Sequence, residues 1–482
     1  MQTFPRVKAG CRKPPSAAPP KTALSCGMAL NARRQRGAVR GPEWQPNTFC
    51  RCKRCQPDKN TYLYTMTTAP PRLYRGQPIV RMHVMIKATG PICNLHCDYC
   101  YYLSKSELLS TDSHWIISDE ILEQFIKQYI QQQNAREVVF SWQGGETTLL
   151  GLDFFKKVVA LEKKYAPPHI RCENDLQTNG TLLNDEWCAF LKENNFLVGL
   201  SVDGPKNLHD AYRKYNNGRG SFDDVCAAAE KLNKHHVRFA TLTVVNQLNS
   251  HHPLEVYRFL RDVIKSRQMQ FIPIVEPKNY QTTAPQKWDP ETLPYEGSPE
   301  TDPTDSRSFL APWSVSSETY GDFLIAVFEE WRKHDLGRLF IPFFDSAVEQ
   351  WMGKPSPLCI FSPICGKGTA MEHNGDVYAC DHYVYPDYRL GNITQDNLSD
   401  MLLSEDQKQF GYAKDYMLPG KCRSCDYLFA CSGECKKNRF VRCANGEPGL
   451  NYLCQGLHKY FSHIDPYIRT FVHQLGGEVH VH

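Results

Sequence analysis

The chain has 482 residues, 41% of them hydrophobic, which is enough for two or three domains with their own cores. No apolar run approaches bilayer length, so a membrane span is excluded. The formal charge of +4 hides a division: thirteen Lys or Arg against two acids lie before Met66, which leaves the remainder near −7 and excludes a nucleic-acid surface on the folded part.

The head, residues 1–75, is basic, Pro-rich from Pro14 to Pro20, and without helical or strand period, so it is expected to be disordered. It reads either as an Arg-rich organelle presequence or as an upstream extension of a start at Met66. Its "CRCKRC" (Cys50 to Cys55) lacks a fourth nearby partner and is expected to carry no function.

Between residues 76 and 350 short apolar runs alternate with amphipathic stretches. "RMHVMIK", "EVVFSW", "LVGLSV", "VRFATLTVV" and "QFIPIVE" read as strands. "DEILEQFIKQYIQQQ" repeats apolar residues at helical spacing (Leu122, Phe125, Ile126, Tyr129, Ile130), and "DFFKKVVALEKKY", "SFDDVCAAAEKLNKHH" and "PLEVYRFLRDVI" follow suit. Strand–helix units of this size predict an α/β fold with a parallel sheet under helices. "GGE" (Gly144 to Glu146), "TNG", "SVDGP" and Asn246 all fall after strands, where barrels of this kind gather their chemistry. Residues 280–312 lose all periodicity and read as a surface insertion; "SETYGDFLIAVFEEWRKHD" restores a helix. After residue 350 the texture turns to Cys, Gly and short segments, predicting a second domain, 351–482, held more by metals than by a large core.

Twenty cysteines without a hydrophobic signal segment do not read as a disulfide framework. Cys172, Cys188, Cys226 and Cys443 stand apart and read as small buried residues, whereas eleven others cluster. Cys93, Cys97 and Cys100 follow the first strand in "GPICNLHCDYCYYL". A closed structural site needs four ligands. Three thiolates leave one iron of a 4Fe–4S cube open to the amino and carboxylate groups of S-adenosylmethionine, whose reductive cleavage yields a 5'-deoxyadenosyl radical. Gly144 and Gly145 would let backbone approach that ligand, and Glu146 would meet its ammonium group.

C-x3-C-x2-C with Tyr99 before the last cysteine resembles the radical SAM superfamily. "CRSCDYLFACSGEC" (Cys422, Cys425, Cys431, Cys435), with Cys359, Cys365, Cys380 and Cys454, resembles the SPASM extension of its peptide-modifying members. "WQGGETTLLG", "LQTNGTLL", "LSVDGP", "GRGSFDDV", "PWSVSSETYGDFL", "CDHYVYP" and "LGNI" narrow this to a resemblance, over about Met82 to Phe471, to the anaerobic sulfatase-maturating enzymes. That resemblance implies a partial (β/α)6 barrel followed by a SPASM domain with two auxiliary clusters and a C-terminal helix. It implies oxidation of a Cys or Ser in an unfolded sulfatase polypeptide, in a C/S-x-P/A-x-R segment, to Cα-formylglycine (3-oxoalanine). It also implies S-adenosylmethionine and three 4Fe–4S clusters as cofactors. Cys359, Cys365, Cys380 and Cys435 would hold one auxiliary cluster, and Cys422, Cys425, Cys431 and Cys454 the other. Tyr99, Gly145, Ser201, Arg213 and Ile274 would contact S-adenosylmethionine. Asp381 matches the family's catalytic base, and burial is expected to raise its pKa. The chemistry calls for a flavodoxin- or ferredoxin-type donor and an anoxic cytosol. Alternatives are a SPASM maturase forming thioether or carbon–carbon crosslinks in a ribosomal peptide, and a non-enzymatic zinc scaffold.

Overall fold

In the computed structural model, the described residues are 80–109, 115–474 and 479, preceded by two short paired strands, Leu73–Tyr74 and Gln77–Pro78. The basic head before them, including its cysteine motif, lies outside the described residues.

Six strands run parallel in chain order: β1 (His83–Lys87), β2 (Glu137–Gln143), β3 (Arg171–Thr178), β4 (Leu197–Ser201), β5 (Arg238–Val245) and β6 (Met269–Pro273). This is the partial barrel the motifs imply. Helices α1 (Asp119–Gln131), α2 (Leu152–Tyr165), α3 (Asp185–Glu193) and α4 (Phe222–Lys234) alternate with them. Ser118 and Asn184 cap the first amide groups of α1 and α3, and acidic residues fill both first turns, where the helix dipole favours them. Phe125 and Tyr129 of α1 meet Phe140 of β2 edge-on, placing the apolar stripe of the helix on the sheet.

Strand β3, "RCENDLQT", is the element periodicity does not reveal. Asn174 lies on its buried side, yet it is polar because it accepts a hydrogen bond from Trp142 Nε1 at 2.7 Å and donates to Glu162 at 3.1 Å. Polar residues on both faces erase the alternation that marks a strand.

The C-terminal region departs from its expected independence. Strand β7 (Gly368–Glu372) adds to the free edge of β1 in parallel, with Lys87 opposite Glu372. Strands β8 (Asp376–Tyr378) and β9 (Arg389–Asn392) extend the sheet antiparallel to nine strands. One apolar core runs from Val84 and Phe140 through Phe343 and Met371 to Tyr460. The region beyond residue 350 thus shares a sheet and an apolar core with the barrel, an attachment that its Cys- and Gly-rich sequence does not announce.

Residues 280–312 are likewise more than a surface insertion. Trp288 and Leu293 are buried, Trp288 packs edge-on against Phe440, and Tyr385 Oη donates to Tyr280 O at 2.5 Å. The segment straps the barrel to the cysteine-rich region.

Helices α5 (Ser317–His334), α6 (Pro342–Trp351) and α7 (Cys454–Gln474) close the molecule. The start of α7 lies close against α5 at Gly456. A Cβ there would sit 1.8 Å from Ser317 O, and Gly456 N donates to Ser317 Oγ at 2.9 Å. That contact sets the position of Cys454. Among the described residues no helix is long and apolar enough to cross a membrane.

Candidate active site

The three-cysteine loop leaves β1 and is held from below by the loop after β2. Gly145 N donates to Gly90 O at 2.8 Å and Glu146 N to Ile92 O at 2.9 Å. A Cβ on Gly145 would lie 2.0 Å from Ile92 O, so this glycine is needed for the close seating of the two backbones. Gly144, at φ +133°, turns the chain into that contact. Glu146 is buried, and its two carboxylate oxygens accept from Thr148 N, Thr148 Oγ1, Thr178 Oγ1 and Asn179 N. Its carboxylate is thus occupied within the protein, and what this loop turns outward is backbone.

Cys93, Cys97 and Cys100 are each partly exposed and close enough to raise one another's pKa. Burial pushes the Cys93 and Cys97 thiols up to about 12, so three neighbouring thiolates would need a cation to form. Among the described residues no three of His, Cys, Asp and Glu converge on a single point as one metal ion would require. A 4Fe–4S cube makes a different demand, since each iron takes its own thiolate and the sulfurs stand around its corners. The three thiols fit that demand.

Behind them lies a buried polar network. Arg213 Nη1 donates to Tyr99 Oη at 2.8 Å, and that hydroxyl donates in turn to Asp203 Oδ2. Burial pushes the Asp203 carboxyl up while Arg213 and Tyr99 pull it down. Arg213 Nε is buried without a hydrogen-bond partner, an unmet donor of the kind a ligand carboxylate satisfies. Ser201, at the end of β4, accepts from Gln177 Nε2 at 2.8 Å. Ile274 is buried just past β6, its amide bonded to Val245 O at 3.0 Å. Tyr99 is buried, and its side chain is wholly engaged in this network. Asn246 caps its own loop through Leu248 N and Asn249 N.

The C-terminal thiols fall into two groups. Cys380 feels Cys435, Cys359 and Cys365, while Cys431 and Cys454 feel Cys422, and Cys454 feels Cys425. Cys431 and Cys435, four positions apart, join different groups because the chain reverses between them: Ser432, Gly433 and Glu434 all have positive φ. Two non-glycine residues of this kind, one on each side of a glycine, are costly, and the strain is held where the two thiol groups divide. Lys414 and Lys436 are buried beside the first group, bonded to the carbonyls of Cys359, Ile360 and Phe410. Neither has an ion-pair partner among the described residues; the anionic thiolates of a loaded cluster would answer their charge. Cys188 and Cys443 are buried as expected, whereas Cys172 and Cys226 are only partly so.

Asp381, beside Cys380, faces the barrel mouth. Tyr101 Oη donates to its Oδ2 at 2.8 Å and Lys87 Nζ lies 3.5 Å from the same oxygen. Burial alone would raise this carboxyl, as the sequence led us to expect. Lys87, His382 and the Tyr101 hydrogen bond outweigh burial and hold it at about 2, which corrects that expectation. The second tyrosine, Tyr102, donates to Glu372. Lys87, Tyr101 and Lys105, whose pKa burial lowers to about 7, escape sequence reading. Lys87 left one signal, a cation ending an apolar strand immediately before the cysteine loop.

A six-stranded parallel barrel with three thiols at its mouth and a cysteine-rich extension on its sheet defines a radical SAM enzyme of the SPASM type. Residues 88–260 match the Radical SAM superfamily profile and residues 364–426 that of the SPASM iron-sulfur cluster-binding domain. The chain is 46% identical over 387 residues to the serine-type anaerobic sulfatase-maturating enzyme of Bacteroides thetaiotaomicron, covering 80% of this chain and 90% of that one. It is 32% identical to the cysteine-type enzyme of Clostridium perfringens, covering 80% and 96%. The solved structure of native anSMEcpe with bound AdoMet and Cp18Cys peptide superposes with a TM-score of 0.69 at 30% identity, covering 82% of this chain and 100% of that one. The chain belongs to the anaerobic sulfatase-maturating enzymes.

Proposed function

We propose that this protein oxidises a Ser or Cys in an unfolded sulfatase polypeptide to Cα-formylglycine. The observation that carries the reading is the placement of Asp381: a carboxylate from the C-terminal region, bonded to Tyr101 one residue after the third cysteine of the loop. Relatives of both types match at similar identity, 32% for a serine-type enzyme of Klebsiella aerogenes and 32% for the cysteine-type one of Clostridium perfringens, so the reading covers both target residues.

Cys93, Cys97 and Cys100 would hold one 4Fe–4S cluster. The two C-terminal groups, Cys359, Cys365, Cys380, Cys435 and Cys422, Cys425, Cys431, Cys454, would hold two more. With S-adenosylmethionine bound, the first cluster supplies one-electron removal of hydrogen from an unactivated carbon. The unmet Nε of Arg213 would bind the cofactor's carboxylate, the Gly144–Glu146 backbone its amino end, and Ser201 its ribose. Loss of hydrogen from the target Cβ makes the neighbouring O–H or S–H strongly acidic, so an ionised carboxylate suffices as base. Asp381 takes that proton. One further electron must leave to complete the two-electron oxidation, and the clusters that the two C-terminal thiol groups would hold are its acceptor. The carbonyl product then follows directly from Ser, and from Cys after water replaces the sulfur, which leaves as hydrogen sulfide. The reading includes a flavodoxin- or ferredoxin-type reductant and a reducing, anoxic cytoplasm.

The test is anaerobic reconstitution with strong reductant and peptides carrying S-x-A-x-R or C-x-P-x-R, read by mass spectrometry. Loss of two hydrogens from the Ser peptide, or conversion of the Cys peptide to the same aldehyde, supports the reading. Deoxyadenosine with neither product rejects it, and a thioether or carbon–carbon crosslink would replace it.

A further inference from the structure

The side chain of Lys87 is 3% exposed at the last position of β1. Its Nζ lies 3.5 Å from Asp381 Oδ2, 3.3 Å from Gln143 Oε1 and 4.6 Å from the centre of the Tyr102 ring. A buried ammonium is costly unless its charge is met. One carboxylate, one amide oxygen and one aromatic face meet it here.

Tyr101 Oη donates to the same Oδ2 at 2.8 Å. Two donors on one oxygen set the rotation of the carboxylate, and both reach it from the barrel side of the domain junction: Lys87 from the end of β1, Tyr101 from the cysteine loop. Asp381 Oδ1 takes no hydrogen bond among the described residues. One oxygen is therefore clamped while the other is free to accept a proton.

We propose that Lys87 is a positioning residue that, together with Tyr101, clamps Oδ2 of Asp381 so that Oδ1 stays aimed at the side chain being oxidised. The inference rests on the reading of Asp381 as the base. Lys87 acts through that carboxylate and touches no reacting atom. A salt bridge that merely ties the C-terminal region to the barrel would support every step of turnover alike. A clamp acts only on the step that needs the proton removed.

The experiment compares wild type, Lys87→Met, Lys87→Gln and Tyr101→Phe as anaerobically reconstituted holoenzymes with both peptides. It measures iron content, deoxyadenosine, formylglycine and peptide KM. In both Lys87 variants, formylglycine per deoxyadenosine should fall by about tenfold or more, the scale of a misplaced catalytic group. Iron content and KM should stay within about twofold of wild type, because neither depends on where Oδ1 points. Tyr101→Phe, with one clamp left, should lose less, and the Lys87→Met/Tyr101→Phe double variant should fall to the level of Asp381→Ala. A wild-type product ratio in both Lys87 variants overturns the assignment. So does a fall of iron, deoxyadenosine and formylglycine in step in both, which makes Lys87 a structural salt bridge only. If wild type itself yields deoxyadenosine but no formylglycine, the functional reading fails and takes this inference with it.

Discussion

Tyr101 Oη donates to Asp381 Oδ2 at 2.8 Å although the two residues are 280 positions apart in the chain. Each directly follows a cysteine, Cys100 and Cys380, so this one hydrogen bond couples the loop of the first thiol set to the loop of the second. A carboxylate is thereby placed at the barrel mouth, whereas the loop's own carboxylate, Asp98, pairs with Lys214.

Asp381→Ala should assemble its clusters and cleave S-adenosylmethionine normally while losing formylglycine by about a hundredfold or more, the usual worth of a positioned base. Quantifying both products from one reaction checks it. Formylglycine at the wild-type yield would remove Asp381 from the base role.

Replacing Cys93, Cys97 and Cys100 together by Ala should abolish deoxyadenosine and lower iron from about twelve to about eight per chain, since the eight C-terminal thiols form separate groups. Iron and sulfide analysis after anaerobic reconstitution decides this. Complete loss of iron would mean that the C-terminal sites depend on the first one.

Gly145→Ala should weaken the seat of the cysteine loop, because the new Cβ would sit 2.0 Å from the backbone oxygen of Ile92, and backbone cannot swing aside as a side chain can. Destabilisation of about 1–3 kcal/mol is the expected scale for such overpacking. Denaturant unfolding of the variant measures it, and retention of both stability and iron content would show that the loop adapts.

Glu162 predicts a pH-dependent stability far from the active site. It is buried on α2 with Oε1 unbonded, and burial raises its pKa from 4.5 to about 7. The folded state therefore holds this proton more tightly than the unfolded chain, so its contribution to stability falls as pH rises from about 4.5 to about 7 and stays reduced above that. Glu162→Gln removes the buried charge. The variant should be more stable than wild type at pH 8 by on the order of 1–3 kcal/mol, with little gain at pH 4. Thermal melts at the two pH values check the difference, and an equal gain at both would assign the effect to packing.

Much of the barrel was legible before any coordinates. Strands β1, β2, β4, β5 and β6 carry apolar runs, and the buried residues of α1 and α5 match the helical period of their sequences. Strand β3 was not legible, because Asn174 spends its polarity on a bond to Trp142 rather than on solvent. The strap at 280–312 was misread for a related reason. Its buried Trp288 packs on Phe440, a partner over a hundred residues away, and no local period records such a contact.

Cysteine spacing in the chain alone determined the chemical class, because Cys93, Cys97 and Cys100 lie within eight residues and need no distant segment to bring them together. Where charge and protons reside at the site was decided only by the folded molecule. The side chains of Lys87, Tyr101 and Asp381 come from three separated segments, and the pKa of about 2 at Asp381 is the balance between its burial and charges that sequence distance conceals. Electrostatic interactions act through space, and only the tertiary fold sets those distances.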